Sequence, residues 1–153
     1  RIHHIGSTAI PQTKAKPIID ILLEVASLEV LDRKSPMLEA LGYKAMGEFG
    51  ILGRRYFRLD DSHGTRMHQV HAFEAGVPNV VRHVAFRDYM RAHPSAAEEY
   101  GALNERLANA HPHDRAAYVD GKDAFVKEHE KRALAWVITD GYRAFLLPEG
   151  EGI

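Results

Sequence analysis

Gly6-Ser7-Thr8, followed after a Pro11-to-Pro17 stretch by Pro17-Ile18-Ile19-Asp20-Ile21-Leu22-Leu23-Glu24-Val25, is the segment whose reading decides the fold. The run from Pro17 is apolar and β-branched apart from Asp20 and Glu24. It is short and bounded, which predicts a buried strand rather than a helix. Strand alternation puts Asp20, Leu22 and Glu24 on one face. Glu24 then lies about 13 Å along the strand from Asp20, too far for the two to share one ion. An isolated carboxylate in such a strand costs several kcal/mol unless it is paired or faces a ligand. Asp20 therefore either meets an arginine or lysine or opens onto a cleft. The preceding Gly-Ser-Thr is a small, donor-rich turn. It is an ordinary turn composition, and it is also one whose amides and hydroxyls can cradle an anion. A Gly-x-x-x-x-Gly-Lys-Ser/Thr phosphate loop is absent.

Outward from this segment, Ser27 is placed to cap a helix reaching about Leu41, with Pro36 as a local fault. Three strands are expected at 43–47, 54–59 and 66–74, with turns at 50–53 and 60–64. In the second of these, Arg55, Phe57 and Leu59 share one face and Arg54, Tyr56 and Arg58 the other. In the third, Met67, Gln69, His71 and Phe73 lie opposite His68, Val70 and Ala72. From Pro78 the chain turns helical. One helix is expected over 78–93, and another from Pro94 with Tyr100, Leu103, Leu107 and Ala110 as its apolar stripe. A third, capped by Asp114, runs to about Ile138. This order predicts an α+β fold, a mixed sheet backed by helices, with a helical C-terminal half. One domain is expected over residues 1–138, with a C-terminal extension over 139–153.

The chain has 153 residues, 45% of them hydrophobic and 27% charged, with a net charge of −1, ten histidines and no cysteine. This is ordinary globular composition. No strong basic field is present to hold nucleic acid. Disulfides, cysteine-zinc sites and a cysteine nucleophile are excluded. No apolar run reaches the roughly 20 residues of a membrane span. A cytoplasmic location is expected, with a small phosphorylated ligand rather than a membrane or nucleic acid as partner.

His68 and His71 sit three apart, a spacing that on a strand sends them to opposite faces and argues against a shared metal. His71 is the better single candidate for an acid/base or ligand role. Lys14, Lys16, Arg54, Arg55 and Arg58 gather basic charge in sequence around the strands. His83, Arg87 and Arg91 fall at helical spacing and read either as a polyphosphate stripe or as a solvated face with Arg87 or Arg91 near Asp88.

Several motifs in order resemble the GrpB family: His4-Ile5-Gly6-Ser7-Thr8-Ala9-Ile10-Pro11, Ala15-Lys16-Pro17-Ile18-Ile19-Asp20-Ile21, Gly53-Arg54-Arg55-Tyr56-Phe57-Arg58, Val70-His71-Ala72 and Phe86-Arg87-Asp88-Tyr89-Met90-Arg91-Ala92-His93-Pro94. Tyr100, Leu103 and Leu107, and the later Asp114-Arg115, Tyr118, Lys122 and Phe125, also fit. The resemblance spans about Ile2 to Ala135. It implies a nucleotidyltransferase-like fold and membership of that superfamily, with one further helix ahead of the motif. In that superfamily a Gly-Ser turn holds a triphosphate, and clustered acids hold two Mg²⁺ ions. By resemblance, Gly6, Ser7 and Thr8 would bind phosphates. Asp20 would bind Mg²⁺ and act catalytically with His71. Lys16, Arg55 and Arg58 would neutralise a nucleoside triphosphate. Position 22 is leucine, and the third-strand position falls at His71 or Gln69. One carboxylate and one histidine hold a single cation at most. Metal-dependent nucleotidyl transfer and a non-catalytic ligand-binding or regulatory module both remain open. Some family members occur fused to a dephospho-CoA kinase, which makes a protein of that type the example of a partner.

Overall fold

In a computed structural model, which describes residues 1–141, five strands form one mixed sheet in the order β1-β2-β5-β4-β3. The strands are β1 (Ile2–Ile5), β2 (Ile19–Val25), β3 (Lys44–Ala45), β4 (Arg55–Asp60) and β5 (Arg66–Glu74). β2 and β5 run parallel and the other pairs run antiparallel. The helices are α1 (Leu28–Ala40), α2 (Pro78–Ala92), α3 (Pro94–Ala110) and α4 (Arg115–Trp136), and a π-helical turn, Val137–Gly141, follows. The expected domain boundary at 138/139 falls inside that turn, and most of the expected extension lies outside the described residues.

The expected caps are present. Ser27 Oγ accepts from Val30 N–H at 3.4 Å, and Asp114 Oδ1 accepts from Ala117 N–H at 3.0 Å. The strand expected over 43–47 is shorter than its reading, because β3 holds only Lys44 and Ala45. Met46 N–H to Tyr56 O and Tyr56 N–H to Gly47 O, both 2.8 Å, still carry the pairing onward.

The register sorts the side chains. On one face Phe57, Val70 and Ala72 are buried with Leu31 of α1. On the other, Ile5, Leu22 and Phe73 pack against Val80 and Val84 of α2. Leu22 is 0% and Phe73 1% exposed, and each such side chain contributes about 1.5–3 kcal/mol. α3 and α4 form a further layer on α2, where Met90, Ala97 and Tyr100 enclose Ile10 of the early loop.

On this second face Asp20 pairs with Gln69, and Gln69 with Arg58, in one row across β2, β5 and β4. α2 covers the rows of Leu22 and Phe73. The outer row at Asp20 and Gln69 instead opens onto a cleft that the early loop and the first turns of α4 wall in.

Candidate functional site

The Gly-Ser-Thr turn leaves β1 as a single 3-10 turn, Ser7–Ala9. Gly6 takes φ +73°, and a β-carbon there would sit 2.6 Å from Asp20 Oδ2. Glycine is required twice over, for the left-handed backbone and for the contact with the carboxylate. The turn is pinned from the far end of the chain. Asn104 of α3, only 2% exposed, donates to Ser7 Oγ and to Lys14 O, both at 3.1 Å. Tyr118 OH donates to Asn104 Oδ1 at 3.4 Å. Thr8 Oγ1 lies 2.8 Å from His4 Nε2.

Asp20 meets an amide rather than a cation. Gln69 Nε2 donates to Asp20 Oδ1 at 3.0 Å. Gln69 Oε1 accepts from Tyr56 O–H at 2.7 Å and from Arg115 Nη2 at 2.6 Å. Gln69 thus ties the strand carboxylate to the first residue of α4. His71 Nε2 lies 3.7 Å from Asp20 Oδ1, and its Nδ1 lies 3.3 Å from Arg54 Nη1. A guanidinium only donates, so Nδ1 accepts and the ring proton sits on Nε2, toward Asp20. His71 thus turns Nε2 toward the carboxylate, at 3.7 Å a neighbour rather than a hydrogen-bond donor.

The cleft encloses about 220 Å³. Ser7, Thr8, Asp20 and Gln69 form its polar side, and Ala15, Ile18 and Val119 an apolar side. Three cations complete it. Lys16 Nζ sits 4.4 Å from the centre of the Tyr118 ring, and Lys122 Nζ 5.1 Å from the same ring and 4.8 Å from that of Tyr100. Arg115 reaches Gln69. Among the described residues none of the three is ion-paired with a carboxylate, and Asp20 is the one acid lining the cleft.

Of the residues expected from sequence, Ser7, Thr8, Lys16 and Asp20 converge on this cleft, and Gly6 backs Asp20. His71 stands beside Asp20, one row in. Arg55 is not brought to the site. Its face of β4 carries it toward α1, where Nε and Nη2 donate to the Asp32 carboxylate at 2.7 and 2.8 Å. That pairing holds the Asp32 carboxyl below the usual carboxylate range. Arg58 shares the face and row of Gln69 but lies outside the cleft lining, with Nε 3.7 Å from Asp60 Oδ2. Arg54, on the site face and 6% exposed, donates to Glu48 O and Phe49 O. The expected stripe on α2 is divided: Arg91 is exposed, while Arg87 is buried and donates to Asp88 Oδ1 at 2.8 Å, the neighbour expected for a structural pairing. Arg87 is 5% exposed and donates to His4 O, Arg91 donates to Ala9 O, and His83 packs against Phe73 and His71.

Asn104, Arg115, Tyr118 and Lys122 are the site residues that sequence reasoning left without a role, and Gln69 entered it only as an alternative to His71 at the third-strand position. Arg115, Tyr118 and Lys122 are spaced i, i+3 and i+7, a single helical face, and that spacing was the available signal.

A two-metal centre does not fit these donors. Leu22 occupies the second acid position and is fully buried, Gln69 stands opposite Asp20, and Asp20 Oδ1 already accepts from an amide. Among the described residues no group of three His, Asp or Glu side chains is arranged to hold a metal ion.

Residues 1–132 match the family described as GrpB protein. The chain is 48% identical over 135 residues to UPF0157 protein YqkA of Bacillus subtilis, covering 88% of this chain and 39% of that protein. It is 36% identical over 130 residues to the glutamate-rich protein GrpB of Alkalihalophilus pseudofirmus, covering 83% and 75% respectively. Among solved structures, that of conserved protein GrpB from Enterococcus faecalis superposes with a TM-score of 0.81 at 44% identity, covering 88% of this chain and 80% of that one. The chain spans 39% to 55% of the length of two of the curated relatives it matches.

Proposed function

The chain belongs to the GrpB family, and from that premise we propose that its cleft binds a phosphorylated small ligand on a nucleotidyltransferase-like scaffold. The observation that carries this reading is the set of three cations, Lys16, Arg115 and Lys122, facing one carboxylate around a cleft at a Gly-Ser-Thr turn. Unpaired cations beside hydroxyl donors favour an anion with several oxygens. The tyrosine ring holds the two lysines at the rim, and Arg115 is oriented by Gln69. Gln69 acts as a positioning group for Asp20, with His71 as its neighbour. No helix among the described residues is long and apolar enough to cross a membrane. A cytoplasmic setting belongs to the same proposal.

Calorimetric titration of nucleotides and smaller phosphate compounds, with and without Mg²⁺, tests this. Binding that weakens roughly tenfold in Arg115→Gln and in Lys16→Gln, about the strength of one charged hydrogen bond, is the expected result. Absence of binding by every phosphate compound in wild-type protein overturns the reading.

A second reading, nucleotidyl transfer, is favoured by the contact of Gly6 with Asp20, which sets the Gly-Ser turn beside the strand acid, the two parts of the superfamily pattern that the resemblance implies. Leu22 and Gln69 count against it. Mg²⁺-dependent release of pyrophosphate from a nucleoside triphosphate, lost in Asp20→Asn, would establish it. Metal-independent binding without turnover would leave a non-catalytic module, able to work through a partner.

A further inference from the structure

The cleft's charge and size narrow the ligand further. Three cations against one carboxylate leave two positive charges unmatched, the complement of one phosphate monoester, which carries about −1.5 to −2 near pH 7. A triphosphate chain needs more cations than this, and the arginines that could supply them are engaged elsewhere. Arg55 is held by Asp32, Arg66 by Asp60, and Arg54 by two backbone carbonyls. The volume of about 220 Å³ also lies below the roughly 300–1,000 Å³ typical of sites for larger organic ligands.

The two ends of the cleft differ in chemistry. Around Tyr118, Lys16 and Lys122 have only aromatic faces as partners among the described residues, contacts that a phosphate's charge-assisted hydrogen bonds outcompete. At the sheet end Asp20 Oδ1 accepts from Gln69, while no hydrogen bond occupies Oδ2 among the described residues. Oδ2 packs beside Gly6 and keeps its acceptor capacity, so it can take a hydrogen bond from a donor on a ligand. Ile18 and Val119 lie along the apolar side, suited to a short carbon skeleton.

Resting on the phosphorylated-ligand reading above, we propose that the cleft selects a compact phosphate monoester bearing a hydroxyl or amine, with the phosphate held by Lys16, Lys122 and Arg115 and the donor group by Asp20. The phosphate meets the two lysines at Tyr118, and Arg115, bonded to Gln69 beside Asp20, bridges the phosphate and the carboxylate.

The test is calorimetry without Mg²⁺ on the whole chain, using glycerol 3-phosphate, ethyl phosphate, AMP and ATP as probes. Glycerol 3-phosphate should bind roughly tenfold more tightly than ethyl phosphate and than ATP, the scale of one hydrogen bond to a charged group. Asp20→Asn should bring glycerol 3-phosphate down to the level of ethyl phosphate while ethyl phosphate binding persists. Lys122→Gln, at a helix position open to solvent on one side, should weaken every monoester about tenfold. ATP binding more tightly than every monoester overturns the monoester assignment and leaves the phosphorylated-ligand reading standing. Equal binding of glycerol and ethyl phosphates overturns the role of Asp20. Failure of all four probes overturns both proposals together.

Discussion

Gly6 and Asp20 touch so closely that a β-carbon on Gly6 would fall 2.6 Å from Asp20 Oδ2. The first turn of the chain is thereby built against the carboxylate of the neighbouring strand. Gly6→Ala forces a left-handed backbone at φ +73° and pushes Asp20 away from Gln69. The expected loss of stability is about 1–3 kcal/mol, with phosphate binding impaired beyond what the stability loss explains. Chemical denaturation and calorimetry on the same preparation check both parts.

Asn104 should matter more than its distance in sequence suggests. It is 2% exposed and hydrogen-bonds to Ser7, Lys14 and Tyr118. Asn104→Ala strips these partners together and is expected to cost about 2–3 kcal/mol, lowering the urea midpoint by roughly 1 M. Ser7→Ala in the Asn104→Ala background should cost less than in wild type, by about 0.5–1.5 kcal/mol, in a double-mutant cycle.

The neighbours Arg54 and Arg55 should behave oppositely. Arg55 and Asp32 form a pair near the surface, so Arg55→Met is expected to cost less than about 1 kcal/mol and to leave phosphate binding unchanged. Arg54 is buried and holds the Glu48–Phe49 turn by two carbonyls and His71 by its ring nitrogen. Arg54→Met should cost about 2–3 kcal/mol. It should also release the His71 proton from Nε2, which nitrogen-15 shifts of the imidazole would report. Equal thermal shifts for the two variants would contradict this assignment.

His83 predicts a pH dependence. Burial, with Arg82, His71 and Arg54 adding like charge, brings its imidazole down to about 3 from an ordinary 6.5. The unfolded ring binds a proton near pH 6.5 and the folded ring does not, so the unfolded state holds more protons between those values. Stability from this group is complete above about pH 6.5 and falls as pH drops toward 3, by up to about 1.4 kcal/mol per pH unit. His83→Gln should flatten the urea-derived stability profile between about pH 6 and 4 relative to wild type. Identical slopes in the two proteins would remove the basis for the effect.

Much of the fold is legible from local pattern. The alternation along β2, β4 and β5 assigns Asp20, Gln69 and His71 to one face, as observed, and Ser27, Pro94 and Asp114 mark helix starts where the helices begin. What alternation cannot supply is which face meets which helix. Arg54 and Arg55 are symmetric alternatives in sequence, and only the packing of α1 on the Phe57 face separates them. The α2 stripe shows the same limit from the other side. Arg87 reaches Asp88 beside it and the carbonyl of His4 in β1, and Arg91 the carbonyl of Ala9, and no pattern within α2 contains those two carbonyls. Arg115, Tyr118 and Lys122 stand in sequence only as part of the family motif, and their place in the cleft follows from α4 lying beside the Gly-Ser-Thr turn.

The link between Ser7 and Asn104, 97 residues apart in sequence, sets the order in which the cleft comes into being. Its walls come from the loop after β1, from β5 and from the first turns of α4, so no chain that stops short of Lys122 carries a complete cleft. Such distant closures form late and slowly relative to local helices. During synthesis the opening turn and Asp20 wait, exposed and unpinned, until the second half of the chain emerges from the ribosome. An intact cleft is therefore a reporter of finished folding, and a chain released early would carry the glycine turn and the strand acid without the walls that α4 adds.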